Sequence, residues 1–161
     1  MIPHITAPDV FHITPERLKQ KGISLLLLDL DNTLSPYSED LPPERVLAWM
    51  SELKKSGIEP YILSNNASEE RVKNYAEACE IPYVARAGKP SPKPVYQAMK
   101  QIGKTHAETA LMGDQIFTDS LAARRAGVTA IVVKPLEMSF LFRLRYIVEQ
   151  VFRLLGREKL K

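Results

Sequence analysis

Two aspartates two residues apart, Asp29 and Asp31, directly follow the apolar run Ile23–Leu28 in a chain of 161 residues. An ionised carboxylate so close to a core is costly unless it is paired or holds a metal. Further polar clusters follow later apolar runs: Ser64-Asn65-Asn66 after Tyr61–Leu63, Gly88-Lys89-Pro90 after Tyr83-Val84, and Gly113-Asp114-Gln115, with Asp119 five positions beyond Asp114, after Thr109–Met112. Taken singly, Ser, Asn and Asp are common turn formers and caps, and a lone Lys is usually a solvated charge. Taken together they suit one chemistry. Carboxylates converging from separate segments repel one another, and a hard divalent cation relieves the repulsion. Mg²⁺ is the natural occupant, because it prefers carboxylate, carbonyl and water oxygens and binds through few protein ligands. One carboxylate can then attack phosphorus and form an aspartyl-phosphate. The second, two residues on, points to the same side of an extended strand and can act as acid for the leaving alkoxide and base for water. A hydroxyl and an ammonium complete a clamp on the phosphoryl oxygens.

The elements that must position these residues can be read from the same pattern. After a short capped helix from Thr14 to Gly22, strands are expected at Ile23–Leu28, Tyr61–Leu63, Tyr83-Val84, Thr109–Met112 and Thr129–Val133. Helices are expected at Pro43–Ser56, from Asn66/Ser68 to about Cys79, at Pro92–Gly103 and at Asp119–Ala126, with Gly57, Gly103 and Gly127 as stops. Strands separated by single helices imply βαβ units. The fold class is therefore α/β, a doubly wound, mostly parallel five-stranded sheet with helices on both faces, forming a single domain over residues 1–161. In such folds ligands bind beyond the carboxyl ends of the strands, where all four polar clusters fall.

Asp29-x-Asp31-x-Thr33, Ser64, Lys89 and Gly113-Asp114 with Asp119 resemble the four ordered motifs of haloacid dehalogenase-like (HAD) phosphatases, and the match covers residues 23–134. The wording Leu-Asp-Asn-Thr-Leu, Ser-Asn-Asn, Lys-Pro and Gly-Asp-Gln-x-x-Thr-Asp is similar to the subfamily IIIA, YqeG-type group, related to phosphatidylglycerophosphatases. The resemblance implies a Rossmann-like HAD fold, with Asp29 as nucleophile and metal ligand and Asp31 as acid/base whose backbone carbonyl also binds Mg²⁺. It further implies Thr33 as loop support, Ser64, Asn65 and Lys89 as contacts of the phosphoryl group, Asp114 as second metal carboxylate, and Asp119 as water-mediated ligand or loop anchor. Lys89 and Lys93 are both followed by proline. The Lys-Pro-x-Pro spacing favours Lys89, leaving Lys93 a solvated charge in the next helix.

Thirty residues separate Thr33 from Ser64 and 24 separate Ser64 from Lys89, each enough for one helix and one strand with their loops. There is no room for the cap domain with which HAD phosphatases usually select substrates. By the same resemblance, capless members tend to act on large or surface-held phosphates, and the likeness to phosphatidylglycerophosphatases, with the basic tail, implies phosphatidylglycerophosphate as the substrate. A soluble sugar, nucleotide or protein phosphate is the alternative, and a non-catalytic phospho-acceptor module a more distant one.

The net charge of +3 is local. From Lys134 onward seven basic residues face three acidic ones, while residues 1–133 sum to −1, which argues against nucleic acid as a partner. Residues 136–161 read as a basic amphipathic helix. Phe140, Leu141, Leu144, Ile147, Val148, Val151, Phe152, Leu154 and Leu155 share one face, opposite Arg145, Glu149, Arg153, Arg157, Phe142 and Tyr146. The simpler expectation is that the apolar face packs on the sheet. The other is peripheral membrane contact, with the aromatic rings and arginines at headgroup depth. The lone Cys79 excludes an internal disulfide and suggests a half-buried thiol. The N-terminus lacks signal-peptide features, so a cytoplasmic location is expected, with attachment to the inner face of the membrane as an extension of it. His4, His12 and His106 read as surface residues, and Trp49 and Met50 as core.

Overall fold

The computed structural model describes residues 1–137 and 140–160, without the side chains of Phe140, Leu141 and Phe142. Its centre is β2 (Leu25–Leu28), four leucines with no exposure, as a strand covered on both faces requires. Beside it lie β3 (Glu59–Leu63) and β5 (Thr109–Gly113), and outside these β4 (Tyr83–Val84) and β6 (Thr129–Val133). Two further strands complete the sheet, β1 (Ile5–Ala7) against β6 and β7 (Glu158–Lys159) at the edge. The order is β4-β3-β2-β5-β6-β1-β7 and every pairing is parallel. Among the described residues the sheet thus has seven strands where the sequence suggests five. β1 and β7, of three and two residues, are too short to show a period of two, and β7 is charged.

Alternate β2 side chains face opposite layers. Leu26 and Leu28 join Ile62 and Met112 under α1 (Pro15–Gln20), α2 (Glu44–Lys55) and α3 (Glu69–Cys79). Leu25 and Leu27 join Tyr61 and Leu111 under α4 (Lys93–Ile102) and α5 (Leu121–Ala126). Each fully buried leucine is worth about 1.5–3 kcal/mol of transfer free energy. Trp49 and Met50 are core on the first face, where Trp49 donates its indole N–H to the Ile13 carbonyl. Cys79 is buried there too, more deeply than its helical setting suggests.

The chain winds outward from β2 through β3 to β4, then crosses back to β5 and β6, so the order reverses between β2 and β5. Residues 34–63 hold α2 and β3, and residues 65–88 hold α3 and β4. The last helix, α6, runs Phe140–Leu154 rather than through 136–161. It stops before Gly156, whose missing Cβ lets the chain pass Thr6 and enter β7 beside β1. Among the described residues no helix is long and apolar enough to cross a membrane.

The orientation of α6 overturns the expectation that its apolar face packs on the sheet. Leu144, Ile147, Val148, Val151, Leu154 and Leu155 are 54–65% exposed. The inward face carries Glu149 and Arg153, which are 2% and 8% exposed, with Phe152 edge-on to Phe117 at 5.8 Å. The Arg153 guanidinium donates to the carbonyls of Val133 and Asp114 and stacks over Tyr146 at 4.8 Å. Glu149 accepts from the Phe117 N–H at 3.4 Å and has Arg145 and Arg153 each at 3.6 Å. The charged stripe 145/149/153 is therefore the docked one. Phe140, Leu141 and Phe142, also assigned to the two faces, have side chains outside the described residues.

Candidate active site

The reversal between β2 and β5 opens a crevice at their carboxyl ends, and the two strands deliver Asp29 and Asp114 into it. A turn containing Asn32 in the left-handed region (φ 62°) follows β2, where asparagine is among the tolerated residues. The Thr33 hydroxyl donates to Asp29 Oδ2 at 3.3 Å. After β5 the chain makes a π-helical turn, Ile116–Ser120, that swings Asp119 back over Gly113. A Cβ on Gly113 would overlap the Asp119 carboxyl group, so glycine is required there by space rather than by dihedral angle. Asp119 Oδ2 accepts from the Gln115 N–H at 3.1 Å and the Thr118 hydroxyl at 3.3 Å.

The Asp29, Asp114 and Asp119 carboxylates are buried, and each offers an oxygen within 4.8 Å of the others. Lys89 lies among them, its Nζ 2.6 Å from Asp29 Oδ1 and 2.7 Å from Asp119 Oδ1. One ammonium against three carboxylates leaves an excess of negative charge. Burial pushes the Asp29 carboxyl up to about 7 against the pull of Lys89, and Asp119 adds to the rise. Asp114 is raised well above the usual carboxylate range, by burial and then by Asp29 and Asp119. Burial opposes the Lys89 charge, but Asp119 and Asp29 outweigh it and hold the ammonium more firmly than in an ordinary lysine. Asp114 Oδ1 is buried without a hydrogen-bond partner. An orphaned carboxylate oxygen facing two other carboxylates is what a hard cation would satisfy, so the residues fit a divalent metal.

Asp31 stands beside this cluster, held by different partners. Its Oδ1 accepts from Arg71 Nε at 3.1 Å and its Oδ2 from Asn66 Nδ2 at 2.8 Å. Arg71 also donates to the carbonyls of Pro36 and Glu39 and pairs with Asp40 at 2.8 Å, fixing the loop that carries Tyr37. The cavity over these groups, about 370 Å³, is lined by Asp29 and Asp31, by Tyr37 and Lys89, and by residues 65–67, 115 and 118.

Of the residues singled out in the sequence, Asp29, Asp31, Thr33, Lys89, Asp114 and Asp119 come together here. Lys93 is exposed at the start of α4, away from them. Ser64 is fully buried behind the cavity wall, with its hydroxyl accepting the Asn66 N–H at 3.1 Å. Asn65 reaches the cavity, but its amide clamps the Lys89 backbone, donating to the carbonyl at 2.9 Å and accepting the N–H at 2.8 Å. Arg71 is not among the residues the sequence singles out, and Asn66, which falls in its second polar cluster, has no role assigned there. Arg71 shares a stripe at intervals of four with Tyr75 and Cys79, both buried. A charge on the apolar stripe of an amphipathic helix is the sequence signal that marks it.

The model of the haloacid dehalogenase-like hydrolase family matches residues 11–127. The Bacillus subtilis protein named "Probable phosphatase YqeG" is 35% identical over 145 residues, 90% of this chain and 84% of that one. The chloroplastic phosphatidylglycerophosphate phosphatase 1 of Chlamydomonas reinhardtii is 29% identical over 86% of this chain, which spans about half (54%) of that longer protein. The fold is similar to that of the 3-deoxy-D-manno-octulosonate 8-phosphate phosphatase of Moraxella catarrhalis, with a TM-score of 0.60, 20% identity, and coverage of 91% of this chain and 82% of that one. With the family's strand-end motifs gathered in one crevice and its model spanning most of the sequence, this chain belongs to the haloacid dehalogenase-like hydrolase family.

Proposed function

We propose that the protein is a Mg²⁺-dependent phosphate-monoester hydrolase that works through an aspartyl-phosphate. The observation that carries the reading is the buried Asp29–Asp114–Asp119 cluster with Lys89 seated against it at the floor of an open cavity. Asp29, Asp114 and the backbone carbonyl of Asp31 would hold the cation, which when bound supplies positive charge to the phosphoryl oxygens and lowers the repulsion between the carboxylates. Asp29 Oδ attacks phosphorus in line with the ester oxygen. As the P–O bond to the leaving group breaks, the proton on the Asp31 carboxyl passes to the departing alkoxide. Asp31 then takes a proton from water, whose oxygen attacks the same phosphorus, breaking the aspartyl P–O bond and freeing Asp29 with inorganic phosphate. Arg71 and Asn66 orient Asp31, while Lys89 balances charge on Asp29 and the phosphoryl group. Ser64 and Asn65 shape the wall through the Asn66 N–H and the Lys89 backbone.

Phosphatidylglycerophosphate is the substrate we favour. The reading is supported by the likeness to a phosphatidylglycerophosphate phosphatase and by an open cavity with only single helix–strand units between its motifs. Phosphate release from an aryl phosphate should require Mg²⁺ and fall about a thousandfold or more in Asp29→Asn. Full activity in that variant would overturn the mechanism. Phosphatidylglycerophosphate should be turned over faster than a panel of soluble sugar and nucleotide phosphates. Equal or better turnover of a soluble compound would replace the lipid assignment.

A further inference from the structure

We propose that the outward face of α6 is a docking surface for an anionic lipid bilayer, and that it seats the protein with its catalytic edge at the membrane. Leu144, Ile147, Val148, Val151, Leu154 and Leu155 form a continuous exposed apolar strip. Contiguous patches of this kind mark interaction sites rather than ordinary surface. The strip belongs to a helix that is fixed from behind. Arg153, Glu149 and Phe152 hold the inner face to the carbonyls after β5 and β6 and to Phe117, and β7 ties the chain beyond the helix to β1. Rotating the helix to bury its leucines would strip those backbone groups of their partners.

Charge decides between a bilayer and a second copy of the chain. Arg143 on the helix and Lys134, Arg157 and Lys159 on the segments flanking it are exposed, against one exposed acid there, Glu137, whereas Glu149 is buried and Glu158 is paired with Lys21 at 2.5 Å. Two copies meeting face to face would bring these positive rims together, a like-charge juxtaposition that disfavours the pairing. An anionic leaflet matches the rim while the methyl and isopropyl groups enter the headgroup–acyl boundary. This is the opposite face from the aromatic and arginine side on which the sequence would place such contact.

The inner face of α6 grips the Asp114 carbonyl, so the helix contacts the same carboxyl edge at which the cavity opens. Leu136, 47% exposed, sits on the connection into α6, whose N–H groups bind Asn32 in the turn after Asp29 and Asp31. Tyr37, 50% exposed, stands at the cavity mouth. A phosphate borne on a lipid headgroup would thus meet the site without leaving the surface. That catalytic consequence rests on the lipid-phosphate reading, whereas the docking does not.

The test is co-sedimentation of the full chain with phosphatidylglycerol-rich vesicles, phosphatidylcholine vesicles serving as control and no phosphomonoester present. The wild type should pellet with the anionic vesicles. Ile147→Glu combined with Val151→Glu should weaken binding about tenfold or more, while aryl-phosphate turnover is unchanged. In a separate Val151→Trp variant, added anionic vesicles should shift the new fluorescence to the blue. The proposal is overturned if the wild type stays in the supernatant, or if the double variant pellets equally well. It is also overturned if the vesicle-free protein sediments as a dimer that the same substitutions dissolve, which would assign the strip to a second copy. Hydrolysis of phosphatidylglycerophosphate in detergent micelles reads the substrate assignment separately, so docking without micellar turnover would sink only that assignment.

Discussion

Helices α2 to α5 and helix α6 are all amphipathic, and they are mounted in opposite senses. The first four lay apolar stripes on the faces of the sheet, Val46, Trp49, Met50 and Leu53 from α2 and Ala122, Ala123 and Ala126 from α5. Helix α6 turns its leucines outward and buries a glutamate and an arginine. What each helix meets accounts for the difference. A sheet face offers side chains, and methyl groups pack against them. The carboxyl edge offers backbone ends, the carbonyls of Val133 and Asp114 and the N–H of Phe117, which need polar partners once water is removed. Arg153 and Glu149 supply these, so the inner face of α6 is chosen by hydrogen bonding rather than by hydrophobicity.

That contrast is tested most severely in the core. Leu26→Ala, at a site with no exposure, should lower the free energy of urea unfolding by about 2–5 kcal/mol. A cost near zero would mean that the sheet faces are not where stability resides, and the comparison would fail at its first term.

Next in size is the effect of a cation on the carboxyl edge. The folded Asp29 and Asp114 carboxyls hold their protons to higher pH than unfolded ones do. The folded state therefore binds more protons than the unfolded state above about pH 4, and stability falls as pH rises until Asp29 ionises near 7. In chelator the protein should lose stability from pH 5 to pH 7.5. Saturating Mg²⁺ should remove that loss and add about 3 kcal/mol at a hundredfold excess over its dissociation constant. Asp114→Asn should abolish the gain in a calorimetric unfolding scan, and an undiminished gain would place the cation elsewhere.

The two regions were also unequally legible in the sequence. Strand-end chemistry could be read because β2 and β5 are short apolar runs whose polar successors, Asp29 and Asp114, stand out by position. Lys89 could be preferred over Lys93 from its proline spacing, and the structure sets Lys89 among the carboxylates with Lys93 in solvent. Arg71 escaped notice because a helix-borne arginine following Glu69-Glu70 looks like an ordinary surface charge. Only the tertiary fold brings it to Asp31, 40 positions away. The mounting of α6 escaped for a related reason. A periodic pattern divides a helix into two faces, but which of them turns inward depends on whether the surface it meets is made of side chains or of backbone ends.

The polar docking of α6 predicts an intermediate effect. Arg153→Leu keeps bulk but removes the donors to Val133 and Asp114 and leaves Glu149 with fewer partners, at a cost of about 1–3 kcal/mol. The loss should be local, read as faster proteolytic cleavage in the tail than in the sheet and as slower aryl-phosphate hydrolysis, because Asp114 shares the released carbonyl. If leucine at 153 stabilised the tail instead, the inner face would be ruled by apolar contact after all, and α6 would be no different from α2 to α5.

The smallest effect is the most exacting for the contrast. Val151 lies two residues from Arg153 in the same helix but is 60% exposed. In dilute solution without lipid, Val151→Ser therefore removes a side chain that already faces water, and it should change unfolding free energy by no more than about 0.5 kcal/mol. The same substitution at a buried valine of the sheet, such as Val132 with no exposure, removes methyl groups from a packed layer and leaves a hydroxyl to be satisfied there. Urea denaturation of the two variants side by side should separate them clearly. A Val151→Ser cost comparable to that at Val132, and growing with protein concentration, would show that the strip is already covered in solution by another copy. In that case α6 would bury its apolar face as the other helices do, only against a different molecule, and the opposition between the two regions would be one of partner rather than of principle.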